Sequence, residues 1–179
     1  MKVWIPYISG GSGSDVSTEY LAHGLKLKGH EVYLQNFQHN FQYAPFTLIR
    51  VAPPARTDLI IANSWNAFAF RREGIKLIAV ERLFPLAQIY RPYRSFAQSI
   101  FYEAMVRQFL RWSYRAADAV VALSLACAEQ IRDTFPWVKP TVILNGVDTE
   151  FFSPHYSARP LLTNRRIRLL FVGNLTRRK

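Results

Sequence analysis

Lys2-Val3-Trp4-Ile5-Pro6-Tyr7-Ile8, followed at once by Ser9-Gly10-Gly11-Ser12-Gly13-Ser14-Asp15, opens the chain. The first seven residues form a mostly apolar run, which reads as a strand. The glycine- and serine-rich stretch stops it. A helix pattern follows, capped by Ser14 or Asp15 and reaching about Lys28, with Val16, Tyr20, Leu21, Leu25 and Leu27 at helical spacing. Gly29 ends the helix, and Glu31 to Phe37 reads as a second strand. Strand, glycine-rich turn, helix, strand is a βαβ opening, so the expected architecture is a parallel α/β sheet flanked by helices.

The rest of the chain continues the alternation. Residues 58–63 and 76–81 are short continuous apolar runs, as expected of parallel strands covered on both faces. Residues 38–56 are irregular and proline-rich, with room for one short strand near 47–51. A long helical stretch is predicted from about Tyr93 to Ala116, then a strand over 118–124, a helix over 125–134 and a strand over 141–144. The last of these ends at Asn145-Gly146, a turn-forming pair. Residues 147–164 lose periodicity and read as a connector, and 167–173 begin a fresh buried-strand pattern. The predicted organisation is one domain over 1–146, a connector over 147–164, and the first strand and loop of a second, truncated domain over 165–179.

Composition narrows the class. Half of the 179 residues are hydrophobic and 20% are charged, an ordinary globular balance. No stretch approaches the roughly 20 uncharged apolar residues that span a bilayer, and the N-terminal run lacks the long apolar core of an export signal. The single cysteine, Cys127, lies among apolar neighbours and reads as a buried structural thiol. These features lead to the expectation of a cytoplasmic protein. The net charge of +11 is uneven: Arg82, Arg91, Arg94, Arg107, Arg111 and Arg115 share their stretch with one acid, Glu103. Such a patch favours anionic partners.

Candidate site residues follow from where open α/β sheets bind ligands, at the carboxyl ends of their strands. The loop Gly10, Gly11, Ser12, Gly13 lets backbone amides approach a phosphate at a helix N-terminus. It lacks the third glycine of the dinucleotide fingerprint, and no P-loop pattern exists, so an ordinary strand-to-helix turn is the alternative. Asn63, Ser64 and Trp65, the pair Glu81 and Arg82, Ser124, and Asn145 end the later strands. Ser124 also suits a helix cap, and Asn145 a plain turn. Glu81 and Arg82 together form the preferred polar pair for contacting an acceptor. The four histidines show no ligand spacing, so no metal is expected.

Four segments together resemble a known family. They are Gly10-Gly11 with the helix ending Lys28-Gly29-His30-Glu31-Val32; Arg115 to Ser124; Val142 to Pro154, which contains Asn145-Gly146-Val147-Asp148; and Phe171-Val172-Gly173-Asn174-Leu175 running on to Lys179. Each is similar to a part of the family 4 retaining glycosyltransferases of the GT-B fold. The resemblance implies a Rossmann-like first domain that shapes the acceptor pocket and a second domain that holds a sugar nucleotide. It implies sugar transfer in the cleft between them, to a glycan or lipid-linked acceptor, with retention and without a metal or other cofactor. It places Gly10 to Gly13, Asn174 and Lys179 beside the donor diphosphate; Asn174 stands where the family commonly has arginine. The chain alone is then expected to be inactive.

Other readings compete. Arg107, Arg111 and Arg115 fall at i, i+4 and i+8 on one helix face with aromatic residues nearby. A non-catalytic module that binds anions or an anionic membrane surface is therefore the main alternative, with peripheral contact at the inner face of the membrane. Nucleic-acid binding rests on charge alone and lacks a motif. A sugar-nucleotide epimerase of similar architecture is disfavoured by the segment 145–154.

Overall fold

A computed structural model of the chain describes residues 1–150. The segment 165–179, most of the connector 147–164, and the candidates Asn174 and Lys179 lie outside the described residues. Two compact units divide at Leu144 and Asn145. The few described residues of the second, 145–150, are irregular chain with a turn at its end.

The first unit, Met1–Leu144, is a sheet of six parallel strands. The strands are β1 (Lys2–Ile8), β2 (Glu31–Phe37), β3 (Leu59–Asn63), β4 (Lys76–Glu81), β5 (Ala119–Ala122) and β6 (Thr141–Val142), in spatial order β2-β1-β3-β4-β5-β6. The chain order turns back beside β1, with β2 on one side and β3 on the other. The helices are α1 (Gly13–Leu27), α2 (Phe96–Phe101), α3 (Arg107–Ala116) and α4 (Leu125–Thr134). The expected Rossmann-like α/β architecture is the one observed.

Alternation along each strand sends neighbouring residues to opposite faces. Val3, Ile5, Ile61, Val80 and Val121 share a core with Ala22 of α1. Trp4, Ile60, Ala62, Leu77 and Ala79 face the other way, with Phe70. A third cluster joins Leu110 and Tyr114 of α3, Cys127 and Ile131 of α4, and Ala122 of β5. Cys127 is buried there, as expected. Asp118 fastens the start of β5 to β4: it accepts from the Leu77 amide at 2.9 Å and from Lys76 Nζ at 2.9 Å, and pairs with Arg71. The Leu77 amide first, and then the Lys76 and Arg71 cations, hold its carboxyl far below the usual range.

Several local expectations change. Helix α1 starts earlier than the pattern suggested, because Ser12 is its cap and Asp15 completes a capping box. Its buried face is Asp15, Thr18 and Ala22, whereas Val16, Tyr20 and Leu27 are exposed. The stretch near 47–51 is a 3₁₀ helix, Pro45–Arg50, with Pro45 in its first turn where a missing amide costs nothing. The long helical stretch expected to Ala116 is present from Phe96 without interruption, as α2, a π-helical turn (Tyr102–Val106) and α3, and a separate 3₁₀ turn (Gln88–Tyr93) precedes it. Strand β6 stops at Val142, and Asn145 and Gly146 lie in irregular chain.

Candidate functional site

The loop after β1 is organised around one carboxylate. Oδ2 of Asp15 accepts from the amides of Gly10 at 3.0 Å, Gly11 at 2.7 Å and Ser12 at 3.2 Å, and from Ser9 Oγ at 3.1 Å. Gly11 has φ +63°, a left-handed conformation that glycine adopts at low cost. Gly10 lies against the His39 ring, where an added Cβ would sit 3.2 Å from Nδ1. The loop thus does form the concave set of amides that suits an anion, and its own chain supplies the anion. The amides of Gly10, Gly11 and Ser12, expected to meet a donor diphosphate, are turned onto Asp15 instead. Gly13 is the first residue of α1.

Beneath α1, at the carboxyl ends of β1, β3 and β4, lies a small cavity of about 10 Å³, room for one water molecule, lined by Tyr7, Thr18, Asn63 and Arg82 over a floor that includes Ile5 and Ile61. Strand alternation explains the lining. Arg82 continues the face of Ile78 and Val80, which turns toward α1. Arg82 Nη2 donates to Thr18 Oγ1 at 2.8 Å, and that hydroxyl donates to the Ser14 carbonyl at 2.8 Å. Arg82 Nε is buried without a partner among the described residues. Burial lowers the guanidinium pKa, against the pull of Glu81 and Asp15. The Tyr7 phenol is raised, first by desolvation and then by Glu19 and Asp15. Asn63 Oδ1 accepts from the Trp65 amide at 3.0 Å, which fixes the turn after β3.

Glu81 takes the opposite face, behind Leu77 and Ala79. It is 3% exposed, so it cannot touch an acceptor at the carboxyl edge, and the expected Glu81–Arg82 pair is split across the sheet. Its Oε2 accepts from Ser64 Oγ at 2.5 Å and from the Tyr114 hydroxyl at 2.7 Å. Burial outweighs these hydrogen bonds and pushes the carboxyl up to about 7. Ser64 is fully buried and belongs to this inner network, not to an acceptor surface. Cys127, pushed up to about 12 by the same burial, lies beside the Glu81 carbonyl.

The remaining candidates separate. Trp65 is half-buried, donates from Nε1 to the Gln42 carbonyl at 2.8 Å and packs edge-on to Tyr102. Ser124 is the cap of α4, accepting from the Cys127 amide at 3.1 Å. Asn145 is exposed and lies in the second unit. Of the basic helix face, Arg107 pairs with Glu103, which Arg91 also contacts, and Arg115 lies over the Trp137 ring at 5.7 Å. Arg111 is exposed. Among the described residues no helix is long and apolar enough to cross a membrane, and no cluster of three or more metal-ligating side chains occurs. Tyr7, Asp15 and Thr18 stand beside Arg82 and the glycine loop, and the strand-end reading did not single them out. The Ser12-x-x-Asp15 spacing of a capping box was the available signal for Asp15.

A six-stranded parallel sheet with a polar cavity at its carboxyl edge fits many chemistries, so the fold alone assigns none. No curated protein matches the chain. A family model described as Glycosyltransferase Family 4 matches residues 34–151, from within β2 to just past the described residues. The glycine loop precedes the match, whereas Arg82, Glu81 and the turn after β3 fall inside it. Spanning well over half of the sequence, that match shows that the chain belongs to Glycosyltransferase Family 4.

Proposed function

We propose that this chain is the acceptor-side part of a glycosyltransferase that moves a sugar from a nucleotide sugar to a glycan or lipid-linked acceptor, with retention and without a metal. The carboxyl edge of the sheet beside α1 is the seat of the acceptor. One observation carries the reading: within a family 4 domain, Arg82, Thr18, Asn63 and Tyr7 come together at the carboxyl edge of the sheet. Hydroxyls, an amide and a cation around an apolar floor suit a sugar, whose polar rim needs several hydrogen bonds and whose ring faces are apolar.

Asp15 holds the loop above this edge in one conformation. With three loop amides turned onto Asp15, the departing diphosphate is assigned to the donor side, where the resemblance puts Asn174 and Lys179. By itself the chain is proposed to lack turnover, since stabilising a leaving diphosphate needs charges that this unit does not direct at one.

The test is a transfer assay on this chain joined at its C-terminal end to a family 4 donor-side domain, with labelled nucleotide sugars and a panel of glycan and lipid-linked acceptors. Arg82→Ala is expected to raise KM for the acceptor about tenfold or more and leave KM for the donor unchanged. A raised donor KM with an unchanged acceptor KM would reverse the assignment of the two sides.

A further inference from the structure

The 3₁₀ turn Gln88–Tyr93 and helix α2 bury none of their residues. A surface element normally turns an apolar stripe to the core and polar residues to water. Here Ile89, Tyr93, Phe96 and Ile100 stand in solvent, with Leu83 before them and Met105 after. Phe96 is 83% exposed and Ile89 67%. Phe96 and Ile100 are four residues apart in a helix, so they share one face of α2. Single apolar residues scattered on a surface are ordinary, but six large ones between Leu83 and Met105 mark a contact surface.

The stretch is held in place. Arg91 pairs with Glu103 at 3.1 Å, and Arg94 donates to the Pro85 carbonyl and lies 4.2 Å from the centre of the Tyr102 ring. These contacts clip the 3₁₀ turn to the π turn that follows α2, and Ser95 with Gln98 caps α2. Charge then selects what the surface meets. From Arg91 to Arg111 the chain has four arginines and one acid, Glu103, which Arg91 and Arg107 both hold. A second copy would bring the same excess of arginine to this face. Residues 165–179 hold Arg165, Arg166, Arg168, Arg177, Arg178 and Lys179 and no acid. Like charge disfavours both as occupants.

We propose that the 3₁₀ turn and α2 dock on an anionic lipid bilayer, with Ile89, Phe96 and Ile100 entering the boundary between headgroups and acyl chains. A bilayer of that kind answers both features of the stretch. Its headgroups attract the arginine excess, and its boundary takes up exposed aliphatic and aromatic side chains. The surface is distinct from the arginine face of α3, where Arg107 is spent on Glu103 and Arg115 lies over the Trp137 ring.

The test is co-sedimentation of the 179-residue chain with two kinds of vesicle. One is phosphatidylcholine alone, and the other an equimolar mixture of phosphatidylcholine and phosphatidylglycerol. Strong pelleting with the mixture and little with phosphatidylcholine is expected. Phe96→Ser combined with Ile100→Ser should weaken binding to the mixture at least about tenfold, because two large apolar side chains no longer leave water. Leu27→Ser, at the far end of α1 and 76% exposed, should leave it unchanged. All these chains carry the same charge, so binding by charge alone gives no difference between the variants. That result overturns the proposal, as does equal pelleting with both vesicle types or none with either. A dimer that the double variant dissolves, seen by sedimentation equilibrium without vesicle binding, gives the surface to a second copy and also overturns it. Should the double variant fail to fold, Ile89→Ser is read in its place, in a turn that buries no residue. No sugar takes part, so failure here leaves the transferase reading standing.

Discussion

Glu81 and Arg82 are adjacent in the chain and serve opposite sides of the sheet. The Glu81 carboxylate sits 2.5 Å from Ser64 Oγ in the inner network, while Arg82 reaches 2.8 Å across to Thr18 on α1. The two groups therefore answer to different experiments, one on stability and one on binding.

Glu81 keeps its proton in the folded chain to about pH 7, whereas an ordinary glutamate loses it near 4.5. Between those values the native state holds more protons than the unfolded state, so this group makes stability fall as pH rises and has no further effect above the window. The total is at most about 3 kcal/mol. Glu81→Gln removes the titration and keeps an acceptor for Ser64 and Tyr114. In urea unfolding, the variant should gain on the parent between pH 5 and pH 8 by up to that amount. An identical difference at both pH values would mean that the buried carboxyl does not titrate there.

Asp15 is the keystone of the loop after β1. Asp15→Ala leaves three amides and the Ser9 hydroxyl without their shared acceptor and removes half of the α1 capping box. The expected loss of stability is about 2 kcal/mol. Asp15→Asn retains an acceptor and should lose about half as much. Thermal midpoints of the two variants check this, and equal midpoints for parent and alanine variant would show that water replaces the carboxylate at no cost.

The glycines of that loop are not equivalent. Gly11, at φ +63°, is predicted to lose about 1 kcal/mol as Gly11→Ala. An added Cβ at Gly13 meets nothing within 4 Å, and the residue is already helical, so Gly13→Ala should be neutral or slightly stabilising. Reversal of that order in paired unfolding curves would contradict the loop geometry.

The sheet was legible because each parallel strand is a compact apolar run between polar breaks. Residues 76–81 coincide with β4, and 125–134 with α4. The long helical stretch was legible too and runs unbroken from Phe96 to Ala116, but its π turn at Tyr102–Val106 had no glycine or proline to mark it in the sequence. Arg82 was legible as a residue at the carboxyl edge of the sheet, but pairing it with Glu81 overlooked the two-residue period of a strand. Applied to 77–82, that period separates Leu77, Ala79 and Glu81 from Ile78, Val80 and Arg82. Tyr114, which holds Glu81 inside, lies 33 residues away, and only the fold brings them together. The loop amides were read as open to phosphate because the helix start was placed after Ser12, which hid Asp15 as their partner.

The claim on which the rest depends is that this unit seats the acceptor and not the donor. Calorimetric titration of the 179-residue chain with uridine-, guanosine- and adenosine-diphosphate sugars tests it most directly. The account predicts dissociation constants weaker than about 1 mM for all three, which is less than about 4 kcal/mol of binding. Micromolar binding of any one of them would contradict it, and would place the sugar nucleotide on this unit.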